Sequence, residues 1–204
     1  DPDTNEPLAN DTAEARSAQA ALLFNVWLVR VLRRTFGDEL EHIGYESFHR
    51  EAEAKGLLHL LEADPAQLAT FDPATGDSAV WDDLGTPEIE AREDRLLRAL
   101  LDAFAWVDSQ GAPLEDLRWG AHHTVRFGAL IPLFAKLSIP PASDATFPDG
   151  YPRPGDSFGV DNSDFSFSAL LTEAPSFAYT HGPSQRFVID LDPAGPKAWN
   201  ALPG

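Results

Sequence analysis

The sequence predicts an α+β chain: a mainly helical segment, residues 1–112, followed by a strand-rich segment, residues 113–204, of antiparallel strands. Three observations predict it. Apolar residues recur at helical spacing in three stretches that all lie before Gly111. Beyond Gly111, turn signals and short β-type runs dominate. The helical patterns therefore come first and the strand patterns second, which is the order of an α+β arrangement.

Taken in order, residues 1–16 are polar and carry Pro2 and Pro7, which reads as a lead-in loop, with Asn10 or Asp11 able to cap the first helix. From Ala13 to about Leu40, Leu23, Val26, Trp27, Arg30 and Arg34 fall at helical spacings, and Leu22, Phe24, Leu28, Val31 and Leu32 widen the apolar surface. That circumference is too broad for a free surface helix, so the segment is expected to sit between layers. Tyr45 to Glu62 carries a second helical pattern that ends near Pro65. The stretch from Asp64 to Gly85 is rich in Asp, Pro and Gly and reads as loop with a short helical turn. A third helix is expected from Thr86 to Gln110, with Thr86 as its cap, Pro87 at the first helical position and Gly111 as its stop. Strands are expected within 122–130, 157–162, 176–181 and 185–191. The last two are separated by Gly182, Pro183 and Ser184, which suits a hairpin. Along the final strand Phe187, Ile189 and Leu191 share one face, and Arg186, Val188 and Asp190 the other. No internal repeat is visible.

Charge and composition narrow the function. Thirty-three acidic residues against fifteen basic ones give a net charge of −18, which repels nucleic acid and anionic membrane surfaces. No apolar run approaches the 18 residues of a membrane span. There is no Cys, hence no disulfide or thiolate site, and no Met, so Asp1 is not expected to be a translation start and the chain is expected to derive from something longer. Only three cations are Lys (Lys55, Lys136, Lys197) and the rest are Arg, a bias that fits a GC-rich genome or adaptation to salt equally well.

The individual motifs weigh towards structure. Asp1, Asp3 and Asn5 have the alternating spacing of a calcium loop, but Glu6 stands where that loop needs Gly and Thr12 where it needs a bidentate Glu, so a solvated loop is expected and no metal or cofactor is assigned. His122 and His123, adjacent in an expected strand, would point to opposite faces and could not chelate one metal together. With Trp119 before it and Arg126 after it, His123 reads as a hydrogen-bonded histidine near a domain interface, and His181 reads similarly. No serine stands in a G-x-S-x-G elbow.

Combinations are more specific. The phrase WGAHH (Trp119–His123), the run YPRPGDSFGVDN (Tyr151–Asn162), the run HGPSQRFVID (His181–Asp190) and the stop LPG (Leu202–Gly204) stand in an order that resembles the C-terminal half of the penicillin acylase family, whose members include penicillin, cephalosporin and acyl-homoserine-lactone acylases. The helix around Leu23–Leu28 resembles the family's helix in the same position, extending the likeness to most of the chain. The resemblance implies a precursor that cleaves itself into α and β subunits with the four-layer αββα fold of N-terminal-nucleophile hydrolases. It also implies a Ser at the new β-subunit terminus as nucleophile, its own α-amino group as base, and an Asn with backbone N–H groups as oxyanion hole. A hydroxyl needs such a base because it is a poor nucleophile while it keeps its proton.

None of those catalytic residues carries over to a position here, so the chain is expected to be a non-catalytic C-terminal piece of the β-subunit. Its partners would be the rest of the precursor and, for the parent enzyme, a small amide substrate. The resemblance further implies a periplasmic or secreted location. Isolated, the chain is expected to self-associate through strand edges left open. Scaffold roles are expected for His123, Asp156, Asn162, Ser184, Arg186 and Asp190: Arg186 shares a strand face with Asp190 and can orient a carboxylate or carbonyls, while Asp156 and Asn162 can fix the turn around Pro154 and Gly155. Two other readings compete. One is a binding module whose Trp81, Trp106, Trp119 and Phe-rich stretch Asp164–Leu171 form an apolar groove for acyl chains, against the blander expectation that these aromatics are core. The other is a complete enzyme using His123 with Asp156 or Asp161.

Overall fold

A computed structural model of the chain describes residues 13–42, 50–128, 137–156, 162–165, 176–181 and 186–201. It is α+β, with an N-terminal helical part and small antiparallel sheets after it. The acidic run at Asp1, Asp3 and Asn5 lies outside the described residues, as does Ser184. The chain divides into two units, one comprising Asp1–His122 with Ser166–Ser176 and the other His123–Phe165 with Phe177–Gly204.

The helical unit is organised by α1, Ala13–His42, which packs against α2 (Arg50–Glu62), α3 (Arg92–Ser109) and α4 (Trp119–His122). Its broad apolar circumference is used on several sides, and Leu22, Val26, Val29, Val31 and Leu32 are all buried. Fully burying side chains of this size stabilises by about 1.5–3 kcal/mol each before ordering costs. Asn25, also buried, donates Nδ2 to the Ala21 carbonyl at 2.9 Å, so its burial leaves that amide paired. On α3 the buried positions Arg95, Ala99, Ala103, Trp106 and Val107 follow helical spacing, and the two alanines let the helix axis approach α1. Trp27 Nε1 donates between these two helices to the Leu96 carbonyl at 3.3 Å. The helix α2 approaches α1 at Gly56, where a Cβ would lie 3.3 Å from the Phe36 ring.

The third helix starts later than its capping signal implies. Thr86 Oγ1 donates to Glu90 Oε1 at 3.1 Å and to the Glu88 carbonyl at 3.2 Å, so it closes a loop rather than a helix. The N-cap is Ala91, and the Asp94 carboxylate accepts from the Ala91 N–H at 3.4 Å. The helix ends as expected before Gly111, whose φ of +71° is one that glycine adopts without strain. The stretch before it, which reads as loop in the sequence, contains a two-residue ladder, β1 (Phe71–Asp72) against β2 (Asp77–Ser78), closed over Gly76. Asp64 caps the 3-10 turn Pro65–Gln67 and Ser78 caps the 3-10 turn Ala79–Trp81.

In the second unit the strands are short. β3 (Thr124–Val125) pairs with β6 (Tyr151–Pro152), β4 (Phe127–Gly128) with β5 (Ser138–Ile139), and β7 (Asp164–Phe165) with β8 (Tyr179–His181). The longest ladder joins β9 (Arg186–Asp190) to β10 (Lys197–Ala201), with Trp199 opposite Val188 and Lys197 opposite Asp190. Two expectations are corrected. Residues 176–181 and 185–191 do not form one hairpin, because β8 pairs back to β7 while β9 pairs forward to β10 across a turn in which Asp190 Oδ1 accepts from the Asp192 N–H at 3.0 Å. His122 belongs to the one-turn helix α4 and not to a strand, so the two histidines are not related by strand alternation.

Candidate functional site

Most of the described candidates from the sequence gather in the second unit. His123 is fully buried there, and its Nδ1 lies 2.6 Å from the Phe177 carbonyl oxygen, a contact that requires Nδ1 to carry the proton and donate. Its own carbonyl accepts from the Arg153 N–H at 2.8 Å. Phe165 and Tyr179 place their rings 6.3 Å from the imidazole, Phe165 edge-on, and Phe165 stacks edge-on against Phe177 at 5.0 Å. The histidine thus joins the chain after α4 to the β7–β8 pair and to Phe177 from inside an aromatic shell. The imidazole Nδ1 of His123 is committed to a backbone carbonyl and the ring is out of solvent, while Asp161, which the sequence offers beside Asp156 as its acidic partner, lies outside the described residues.

Asp156 and Asn162 are brought together, by backbone. They form an isolated parallel bridge, and the Ser163 N–H donates to the Asp156 carbonyl at 2.9 Å. Ser163 Oγ donates to the Pro154 carbonyl at 3.2 Å, and Gly155 takes φ +79° between them. The turn around Pro154 and Gly155 is therefore held by backbone bonds of Asp156 and by the side chain of Ser163, which sequence reasoning passes over. Arg153 lies over the Tyr179 ring at 5.9 Å. Arg186 and Asp190 both belong to β9, and Asp190 is exposed at the turn that follows it. Arg126 ties several carbonyls together: Nη1 donates to the Pro140 carbonyl at 2.7 Å and Nη2 to those of Pro148 at 2.7 Å and Phe147 at 3.2 Å.

The helical unit holds a polar cavity of about 560 Å³ between α1 and α3. Its lining includes Arg30, Arg33, Arg34 and Arg95 with Asp38, Asp83 and Asp102. Arg34 grips Asp102 with two bonds, Nε to Oδ2 at 2.5 Å and Nη2 to Oδ1 at 3.0 Å. Arg95, only 2% exposed, donates Nε to the Trp81 carbonyl at 2.7 Å, Nη1 to Asp83 at 2.9 Å, and Nη2 to Asp38 at 3.2 Å and to the Asp82 carbonyl at 2.7 Å. Ser109 Oγ donates to the Trp106 carbonyl at 2.6 Å. The charges of Arg34 and Arg95 are therefore directed at the protein itself. Burial, then a hydrogen bond to Asp38, pushes the Glu39 carboxyl up to about 8, and burial pushes the His122 imidazole down where it meets Trp106 edge-on at 5.2 Å.

The tryptophans named as a groove are core: Trp81, Trp106 and Trp119 are all buried. Of the stretch Asp164–Leu171 only Asp164 and Phe165 are described, and both are buried. Among the described residues no group of three His, Asp or Glu side chains is placed to hold a metal ion, and no helix is long and apolar enough to cross a membrane. No curated protein and no solved structure matches the chain significantly. A sequence profile of the family described as Penicillin amidase matches residues 10–204, nearly the whole chain. The chain belongs to the penicillin amidase family.

Proposed function

We propose that this chain is the C-terminal part of the β-subunit of an N-terminal-nucleophile amidohydrolase, and that it serves as scaffold for a site whose nucleophilic serine lies on the rest of the precursor. In this reading the parent enzyme hydrolyses linear amide bonds of acylated amines, the side chains of β-lactams or acyl-homoserine lactones, in the periplasm or outside the cell and without a cofactor. The observation that carries it is the family match over residues 10–204.

The site geometry supports a scaffold role. His123 and Arg126 hold backbone carbonyls, as does the Ser163 hydroxyl beside Asp156 and Asn162. The surfaces support a missing partner. Leu97, Leu101 and Phe104 recur at i, i+4 and i+7 on α3 and are exposed, on the side away from the buried positions of that helix. The β9–β10 ladder pairs with no third strand among the described residues and exposes Ile189 and Trp199. A two-stranded ladder is marginal alone and gains stability when a sheet continues beside it, as the four-layer fold would supply.

The test is complementation. The 204-residue chain, assayed with a β-lactam amide and an acyl-homoserine lactone, should show no hydrolysis, and co-production with the remainder of its precursor should restore it. Turnover by the purified chain alone would overturn the scaffold reading. Cell fractionation of the parent organism should find the activity outside the cytoplasm.

A further inference from the structure

Two neighbouring carboxyl groups near the end of α1 meet the loop that leads into α3. Asp38 offers Oδ2 to two donors, the Leu84 N–H at 2.8 Å and Arg95 Nη2 at 3.2 Å. Its other oxygen, Oδ1, is buried, and so is Oε2 of Glu39. No N–H or hydroxyl of the described residues reaches either one. Two ionised carboxylates with buried, undonated oxygens would face both a desolvation cost and mutual repulsion. A single proton removes both problems, because a protonated Glu39 becomes a donor to Asp38, with which it is in hydrogen-bonding reach.

We infer that Asp38 and Glu39 form a proton-held clamp that fastens α1 to the loop before α3, closed while one proton is shared between the two carboxyl groups and loosened when that proton leaves. The charged groups acting on Glu39 are Asp38 on its own helix and Arg95 on α3, while Asp83 of the loop takes the other side of the Arg95 guanidinium. Arg95 favours ionisation of Glu39, but it is shared among Asp38, Asp83 and two carbonyls, and burial outweighs it. The folded carboxyl holds its proton up to about 8, against 4.5 ordinarily, so the folded state binds more protons than the unfolded one between those values. The clamp's contribution is therefore complete below pH about 4.5, declines as pH rises, and is gone above about 8. It concerns the helical unit alone and stands apart from the amidase reading.

The experiment compares the full chain with its Glu39→Gln variant, whose amide donates to Asp38 at every pH. Both are unfolded chemically from pH 5 to 9. Their unfolding constants should diverge by up to about tenfold per pH unit towards pH 8, the variant becoming relatively more stable, and the divergence should level off above it. Carbon-13 NMR of the Glu39 carboxyl should show titration near 8, moving towards the ordinary carboxylate range in Asp38→Asn, where the amide donates to an ionised Glu39. A ratio of unfolding constants that is flat with pH, or a Glu39 resonance that titrates near 4.5, would overturn the inference.

Discussion

Replacing Arg95 by Ala tests the most connected group in the helical unit. The guanidinium is 2% exposed and joins three pieces of chain: Asp38 on α1, its own helix α3, and the loop residues Trp81, Asp82 and Asp83. Removing it leaves the Trp81 carbonyl without this donor and two carboxylates, about 19% and 26% exposed, without their counter-charge. Breaking a buried ion pair from one side costs about 3–5 kcal/mol, because the surviving charge keeps its desolvation without its partner. Carbonyls left without donors add on the order of 1 kcal/mol each where water cannot reach them.

Against a total stability of about 5–15 kcal/mol for a domain, that is a large fraction. With a urea slope of about 2 kcal/mol/M, a loss of 3–5 kcal/mol moves the midpoint down by about 1.5–2.5 M. Urea unfolding followed by tryptophan fluorescence reads it well, since Trp81 and Trp106 are buried in this unit. Arg95→Lys should recover only part of the loss, because an ammonium cannot reproduce a fork that reaches two carbonyls and two carboxylates together. A shift under about 0.5 M in Arg95→Ala would refute the claim that this residue organises the unit. A shift of full size that Arg95→Lys rescues completely would refute the role assigned to the fork.

Two other substitutions have opposite signatures. Gly150→Ala should cost at least about 2 kcal/mol in thermal or chemical unfolding, because Gly150 has φ +109° and a Cβ would lie 2.6 Å from the Val125 carbonyl oxygen, so strain and overpacking act together. Leu101→Glu on the exposed face of α3 should leave the chain's own stability within about 0.5 kcal/mol, yet reduce the yield of complemented amidase activity by about tenfold or more if the precursor's remainder covers that face. Undiminished complementation would remove α3 from the interface.

How much of the fold and the site is legible in the sequence depends on the range of the interactions involved. The long helix can be read because its signal is local and repeated: Leu22, Val26 and Val29 mark it at every turn. Its neighbour α3 is legible too, but the sequence signal sets its start five residues early, because Thr86 followed by Pro87 carries a capping pattern that the Thr86 hydroxyl instead satisfies on Glu90. The hairpin misleads for a similar reason. Gly182, Pro183 and Ser184 mark a turn but do not say which strands pair, and β8 finds its partner in β7. His123 reads rightly as a bonded histidine, although nothing in the sequence could name the carbonyl of Phe177, 54 residues away, as its acceptor. Arg95 leaves no local mark at all, since on α3 it looks like one more charge on a helix face; its role depends on three segments meeting.

The preference for arginine over lysine, which composition alone does not explain, has a structural account in these bonds. Seventeen prolines and fourteen glycines punctuate the chain, and the described ladders of its second half are mostly two residues long, which leaves many carbonyls without a backbone donor. Arginine answers that shortage. Arg126 alone serves Pro140, Phe147 and Pro148, Arg95 serves Trp81 and Asp82, and Arg118 Nη1 donates to Leu117 at 2.8 Å. Adaptation to salt or a GC-rich genome would favour arginine anywhere on the surface; a carbonyl-bonding role requires it at these positions. Arg126→Lys separates the explanations. An ammonium can reach one or two of the three carbonyls but not with a planar fork, so the substitution should cost about 1–2 kcal/mol, undiminished by high salt because its bonds are to neutral groups. A cost near zero, or one that disappears in molar salt, would return the bias to genome composition or to surface charge.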